Sequence, residues 1–259
     1  MTQFQNLKKT IDALRGPDGC PWDKKQTHLS LLPFLYEEAN EVIDAILNND
    51  KSNLKEELGD LFLQILLHSK IAEEENEFNI DDVLEALNKK LIRRHPHIFA
   101  DKNAGTSDEV LKLWEEVKKE EKKDINHASI LDAVPKNFTP VLRASKLQKI
   151  ASKAGFDWNN YKNVLDKVEE EIEELKESIE KKTNIEDEFG DILFALVNLA
   201  RFLKIDSEVA LAKANLKFIK RFNYIENKIS SLNKNFNDFT LEELENFWSE
   251  AKNKLKENE

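Results

Sequence analysis

Cysteine is almost missing from this sequence: Cys20 is the only one in 259 residues. No intrachain disulfide can form, which fits a reducing compartment and leaves stability to packed cores. Glycine and proline number six each, too few for a turn-rich β protein. No apolar run approaches the roughly 20 residues that span a bilayer. The amino-terminal MTQFQNLKKTIDAL is amphipathic and lacks the continuous apolar core of a signal peptide. The expected location is therefore cytoplasmic, without a membrane partner. Positive charge is also in deficit, with 39 Lys and Arg against 50 Asp and Glu and a formal net charge of −11. A nucleic-acid partner would need a basic face, so none is expected. A small anionic ligand stays open, because a bound divalent cation reverses the local field.

What fills the chain instead is Leu, Lys, Glu, Ile, Asn and Ala, with apolar residues recurring three and four apart. That spacing predicts an almost wholly helical protein. The helical text is written twice. In the first half Glu37, Glu38 and Glu41 precede Glu56, Glu57 and Asp60, then Lys90 and Arg94, then Trp114 and Lys118. In the second half Glu170, Glu171 and Glu174 precede Asp187, Glu188 and Asp191, then Lys217 and Arg221, then Trp248 and Lys252. The offset drifts between 127 and 134 residues, as it does when loops change length and helices do not. The seam is expected at residues 124 to 140, after a charge run from Lys118 to Asp124 and across the helix breakers Pro135 and Pro140. The fold class is read as all-α, with two tandem similar helical-bundle domains, 1–125 and 136–259, of about four helices each.

The acids are where the chemistry should lie. Residues three apart share a helix face, so Glu171 with Glu174 and Glu188 with Asp191 form two acidic pairs. If the two helices pack face to face, four carboxylates converge, and four crowded anions need cations or protons. Carboxylate oxygens are hard ligands and no His or Cys joins them, so Mg²⁺, or Mn²⁺, is the natural occupant. For VEEEIEELKE alone, a solvated acidic helix face is the better account of the pattern, because Glu is a good surface helix former. It accounts less well for Glu57/Asp60 and Glu188/Asp191, which head helices otherwise apolar on nearly every side. Lys217 and Arg221, four apart, can address one anion, Arg with a bidentate fork and Lys as a mobile charge. Trp248 offers either a stacking face for a base or an ordinary core ring. His95 and His97 read as loop residues, and Cys20 has no paired base that would make it a nucleophile.

The double acidic motif resembles that of the all-α nucleoside triphosphate pyrophosphohydrolase superfamily. GCPWDKKQTH, ELGDL, RRHPHIF and LWEEVKKEEK in the first half resemble the two-domain MazG proteins specifically. So do FGDILFALVNLARFL and KANLKFIKRF in the second half. The resemblance runs from about Leu14 to Lys252. It implies Mg²⁺-dependent hydrolysis of a nucleoside triphosphate to monophosphate and pyrophosphate by a homodimer of helical bundles. It also implies metal ligands at Glu171, Glu174, Glu188 and Asp191, with nucleotide contacts at Lys167, Lys217, Arg221, Trp248 and Lys252. Glu170 is then the candidate to accept a proton from the attacking water. First-copy equivalents are Glu38, Glu41, Glu57 and Asp60, with Lys90, Arg94, Trp114 and Lys118. Asp187 stands where the first copy has Glu56, an acid just outside the quartet. Base specificity is expected to be broad and the role one of cleaning the nucleotide pool. The competing readings are a nucleotide-sensing or partner-binding helical module, and a superfamily relative acting on dUTP or a phosphoribosyl nucleotide.

Overall fold

A computed structural model describes residues 2–121 and 129–256. The described residues are helical throughout, without strands. They divide into two compact units, Met1–Asn126 and His127–Glu259. Residues 124–128 of the expected seam, including the expected end of the first domain at 125, lie outside the described residues. The first unit holds α1 (Gln3–Arg15), α2 (Pro21–Lys25), α3 (Leu32–Leu47), α4 (Lys51–Glu74), α5 (Ile80–Arg94), α6 (Pro96–Phe99) and α7 (Ser107–Glu121). The second holds α8 (Pro140–Lys153), α9 (Tyr161–Lys181), α10 (Ile185–Phe202), α11 (Ser207–Ser231) and α12 (Leu241–Lys256). Both exceed the expected four helices. The segment before each acidic motif is amphipathic and makes a further helix, α1 or α8, while α2 and α6 are short turns of helix begun by a proline.

Each unit is built on one antiparallel helical hairpin, α3 with α4 and α9 with α10. The connections, residues 48–50 and 182–184, are short because backbone in the left-handed region reverses the chain: Asn49 has φ 55°, Lys182 55° and Asn184 53°. Asparagine tolerates that region better than most residues. Asp50 caps α4 by accepting from the Ser52 and Asn53 amides, and Asn160 caps α9 in the same way through Lys162 and Asn163. Helix α1 closes over α4 in the first unit, and α8 packs on α10 and α11 in the second. The first core gathers Ile11, Leu31, Leu66, Leu67, Ile71 and Ile80, with Phe34 and Leu63 packed against it. In the second unit Val164, Val168, Ala195, Val197, Ile225 and Ile229 are buried. No helix among the described residues is long and apolar enough to cross a membrane.

Candidate metal and nucleotide site

The hairpin brings the acids together because each motif occupies the facing surface of its helix. In the first unit Glu38, Glu41 and Glu57 each offer a carboxylate oxygen, all within 4.8 Å of one another. Glu171, Glu174 and Glu188 do the same in the second. The expectation of four converging carboxylates is thus met by three in each unit. The fourth, Asp60 or Asp191, belongs to the same neighbourhood without joining the triad, being one methylene shorter and a turn further along. Asp60 is close enough to raise the carboxyl groups of both Glu38 and Glu57. Asp191 shares a cavity wall with Glu171.

Crowding has a titration signature. Glu38 is pushed above the ordinary carboxyl range by burial, then by Asp60, Glu41 and Glu37. Glu57 is raised by burial and by Glu41, Asp60 and Glu38. Glu174 is raised by burial and by its bond to Glu171, which Lys167 only partly offsets. Each carboxyl therefore binds its proton more tightly folded than unfolded. Their unfavourable contribution is absent below the ordinary value of 4.5 and grows as pH rises through the raised folded values. Hard oxygens, close spacing and excess negative charge suit a divalent cation. In EDTA at pH 7.5, Glu174→Gln should therefore melt above the wild type, and that gap should close toward pH 4.5. Mg²⁺ should raise the wild-type Tm and leave that of the variant nearly unmoved. Differential scanning fluorimetry reads both, and a variant that melts lower in EDTA would show that the acids do not strain the fold.

Lys167 bridges Glu170 at 2.9 Å and Glu171 at 2.8 Å, and these carboxylates hold its ammonium well above the usual lysine range. Glu171 is buried and Glu170 exposed. The basic residues follow the repeat as well. The guanidinium of Arg94 lies 5.6 Å from the centre of the Trp114 ring, and that of Arg221 lies 5.4 Å from the Trp248 ring. The two arginines then differ. Arg94 pairs with Glu121 at 2.5 Å, which lowers the Glu121 carboxyl to about 2. In the register set by Trp114 and Trp248, Glu121 corresponds to Leu255, and among the described residues no carboxylate pairs with Arg221. Trp248 is half-buried, its ring 5.3 Å from that of Phe218. It is thus partly a packing residue, with Arg221 over its ring. Lys90, Lys217 and Lys252 are exposed, and Lys118 is also exposed and engaged in an interaction of its own. His95, the C-cap of α5, packs edge-on against Trp114 at 4.9 Å, while His97 lies within α6 rather than in a loop.

One feature of the second unit had no signal in the spacing of acids and bases. A cavity of about 360 Å³ joins Lys167, Glu171 and Asp191 to Phe156, Trp158, Phe194, Gln148 and Asn198. Its two amides come from α8 (Gln148) and from α10 (Asn198), where the asparagine in the run ALVNLARF was the available clue.

A profile of the MazG nucleotide pyrophosphohydrolase domain matches residues 26–99 and, a second time, residues 159–225. The chain belongs to the MazG family. Both matches contain an acidic triad and a Lys–Arg pair, and both end before the tryptophan that its arginine covers. Over 257 residues the chain is 41% identical to a nucleoside triphosphate pyrophosphohydrolase of Escherichia coli (strain K12), covering 97% of this chain and 98% of that one. It is 44% identical over 250 residues to the nucleoside triphosphate pyrophosphohydrolase/pyrophosphatase MazG of Thermotoga maritima, covering 96% and 95%. It is 46% identical over 253 residues to the uncharacterized protein YabN of Bacillus subtilis, covering 96% of this chain and 52% of YabN. This MazG chain therefore carries the family domain in both units, and the two sites differ in how their arginines are paired.

Proposed function

We propose that this MazG protein hydrolyses nucleoside triphosphates to nucleoside monophosphates and pyrophosphate, that it depends on Mg²⁺, with Mn²⁺ as an alternative, and that the second unit is its main catalytic site. The observation that carries this reading is the triad of Glu171, Glu174 and Glu188 beside a cavity walled by aromatic and amide side chains. The triad and Asp191 would hold the cation, which when bound screens the triphosphate and makes a water more acidic. The remaining work falls to the chain's own groups. Arg221, without a carboxylate partner among the described residues, would take phosphate oxygens in a bidentate contact, and Lys217 on the same helix would add a second positive charge. Lys167 orients Glu170 and Glu171 through its two ion pairs. Glu170 would accept the proton of the attacking water. Trp248 and Lys252 would close the nucleotide side of the site.

A homodimer is part of the reading. Helix α10 leaves Phe189, Leu193 and Leu196 exposed, and α11 leaves Phe218 and Ile219 exposed. Faces that apolar are usually covered, and a second copy would cover them symmetrically. The single cysteine fits a reducing compartment, so we put the activity in the cytoplasm, acting broadly on the nucleotide pool. The test is product analysis. Incubation with ATP or dGTP and Mg²⁺ should give monophosphate and pyrophosphate by ion-exchange chromatography. Diphosphate and orthophosphate as direct products would overturn the reaction, and no turnover with any triphosphate, dUTP included, would favour a nucleotide-sensing module.

A further inference from the structure

We infer that the first unit carries an acid-sensitive latch: His28 and His68 hold the connection ahead of α3 against α4 while both rings are neutral, and protonation of either ring releases it. Nδ1 of His28 lies 2.7 Å from Nδ1 of His68, although the two residues are 40 positions apart in the chain. Their rings are parallel to within 4°, with centres 5.0 Å apart. Among the described residues no Cys, Asp, Glu or further His gathers with them as a set of metal ligands. The contact is therefore a hydrogen bond between imidazoles.

Two ring nitrogens at that distance need a hydrogen on one and a lone pair on the other. Nε2 of His68 is buried without a partner, and an idle acceptor is tolerated there better than an idle N–H. The shared hydrogen is therefore on His68, which donates to His28. An added proton then has two places to go. On His68 it would sit at Nε2, as a buried charge with nothing to accept from it. On His28 it would take the lone pair that receives the bond. Either ends the contact. Burial, on a helix turn whose Leu66, Leu67 and Ile71 belong to the core, and then the neighbouring His28 hold the His68 imidazole below the usual histidine range. The stability that the pair contributes is complete above the ordinary value of 6.5. It is lost as pH falls from there through the lowered folded value.

Other charges at this end of α4 are already paired. Lys8 meets Asp81 at 2.8 Å, Arg15 meets Glu74 at 2.7 Å, and Lys70 meets Asp12 at 2.8 Å and Glu73 at 2.9 Å. From α3, Glu38 and Glu41 gather with Glu57, about 16 Å before His68 along α4. Asp23, Lys24 and Lys25 lie in α2, and residues 26–36 carry no charged side chain apart from a protonated His28. The charge that acts on His68 is that of His28. On its other side the connection is held by Arg15, which donates to the Asp23 and Gln26 carbonyls. It ends at Leu31, which is 1% exposed and N-caps the helix that presents Glu38 and Glu41. The second unit has no such pair. Aligning Glu38 with Glu171 puts His28 in the register of Tyr161, and aligning Glu57 with Glu188 puts His68 in that of Leu199. The same alignments put Phe34 and Leu67 where the second unit has Lys167 and Asn198 on its cavity wall.

The test uses the full-length chain and needs no turnover. Amide hydrogen exchange of residues 27–35, corrected for the intrinsic effect of pH and taken relative to α10, should rise roughly tenfold from pH 7.5 to pH 5.5. His28→Phe/His68→Phe keeps two rings in place and removes both titrating groups, so its ratio should stay within about twofold over the same range. In a sample labelled with ¹⁵N-histidine, the His68 ring, assigned by its loss in His68→Phe, should titrate below 6.5. An unchanged wild-type ratio, a His68 ring titrating at or above that value, or a double variant that keeps the full acid response would each overturn the latch. If the double variant does not fold, His28→Phe alone decides. Its exchange should already be raised at pH 7.5 and respond no further to acid, and a wild-type response there would reject the latch.

Discussion

Glu188→Gln and Asp191→Asn are each expected to lower pyrophosphate release by roughly 10²–10³-fold or more, with helical content unchanged. Both substitutions keep shape and hydrogen-bonding capacity and remove one negative charge. Glu188 supplies the triad's only carboxylate from α10, the others coming from α9. Without it the cation would be held from one helix only. Asp191 sits beside Glu171 in the cavity wall, where the triphosphate and its counter-ion would meet. Because the triad acids repel one another, losing one charge should not unfold the hairpin, which separates a functional loss from a structural one. Circular dichroism with a pyrophosphate-coupled assay reads both quantities on one sample. Wild-type rates in both variants would mean that these acids serve the fold, or that the first unit carries the reaction.

Residues 136–259, expressed alone, are expected to dimerise and hydrolyse triphosphates, while residues 1–125 are expected to fold without comparable turnover. Three observations set the direction. The cavity adjoins the second triad. Leu67 and Phe34 occupy the corresponding registers in the first core. Arg94 is neutralised by Glu121, whereas Arg221 has no such partner among the described residues. The two units are compact separately, so a cut between them should expose little core. Light scattering gives the size of each fragment, and a Mg²⁺-dependent assay gives its activity. Hydrolysis by 1–125 with an inert, folded 136–259 would reverse the assignment. A monomeric, active 136–259 would remove the dimer and keep the site.

Periodicity, breakers and repetition were local properties, and they were enough for the helices, the duplicated order and the pairing of acids. The three-residue spacing of Glu171 and Glu174 places them on one face whatever the rest of the chain does. The i,i+4 spacing of Arg221 with Lys217 works in the same way. The resemblance of the motifs carried the family. What these signals could not show was distance between helices. Whether three or four carboxylates meet depends on the depth at which α9 and α10 pack, and the 4.8 Å clusters hold three glutamates each. Whether Arg94 and Arg221 are equivalent depends on Glu121, a residue 27 positions away that only folding brings into contact.

The amino-acid sequence by itself determined the helical class, the repeat and the residue types of the acidic clusters, because periodicity and repetition are read along the chain without knowing how the helices pack. Tertiary structure alone decided that the second unit has a cavity and that Gln148 and Asn198 border it. A cavity is the volume that side chains from α8, α9 and α10 fail to fill, and no single helix encodes that difference.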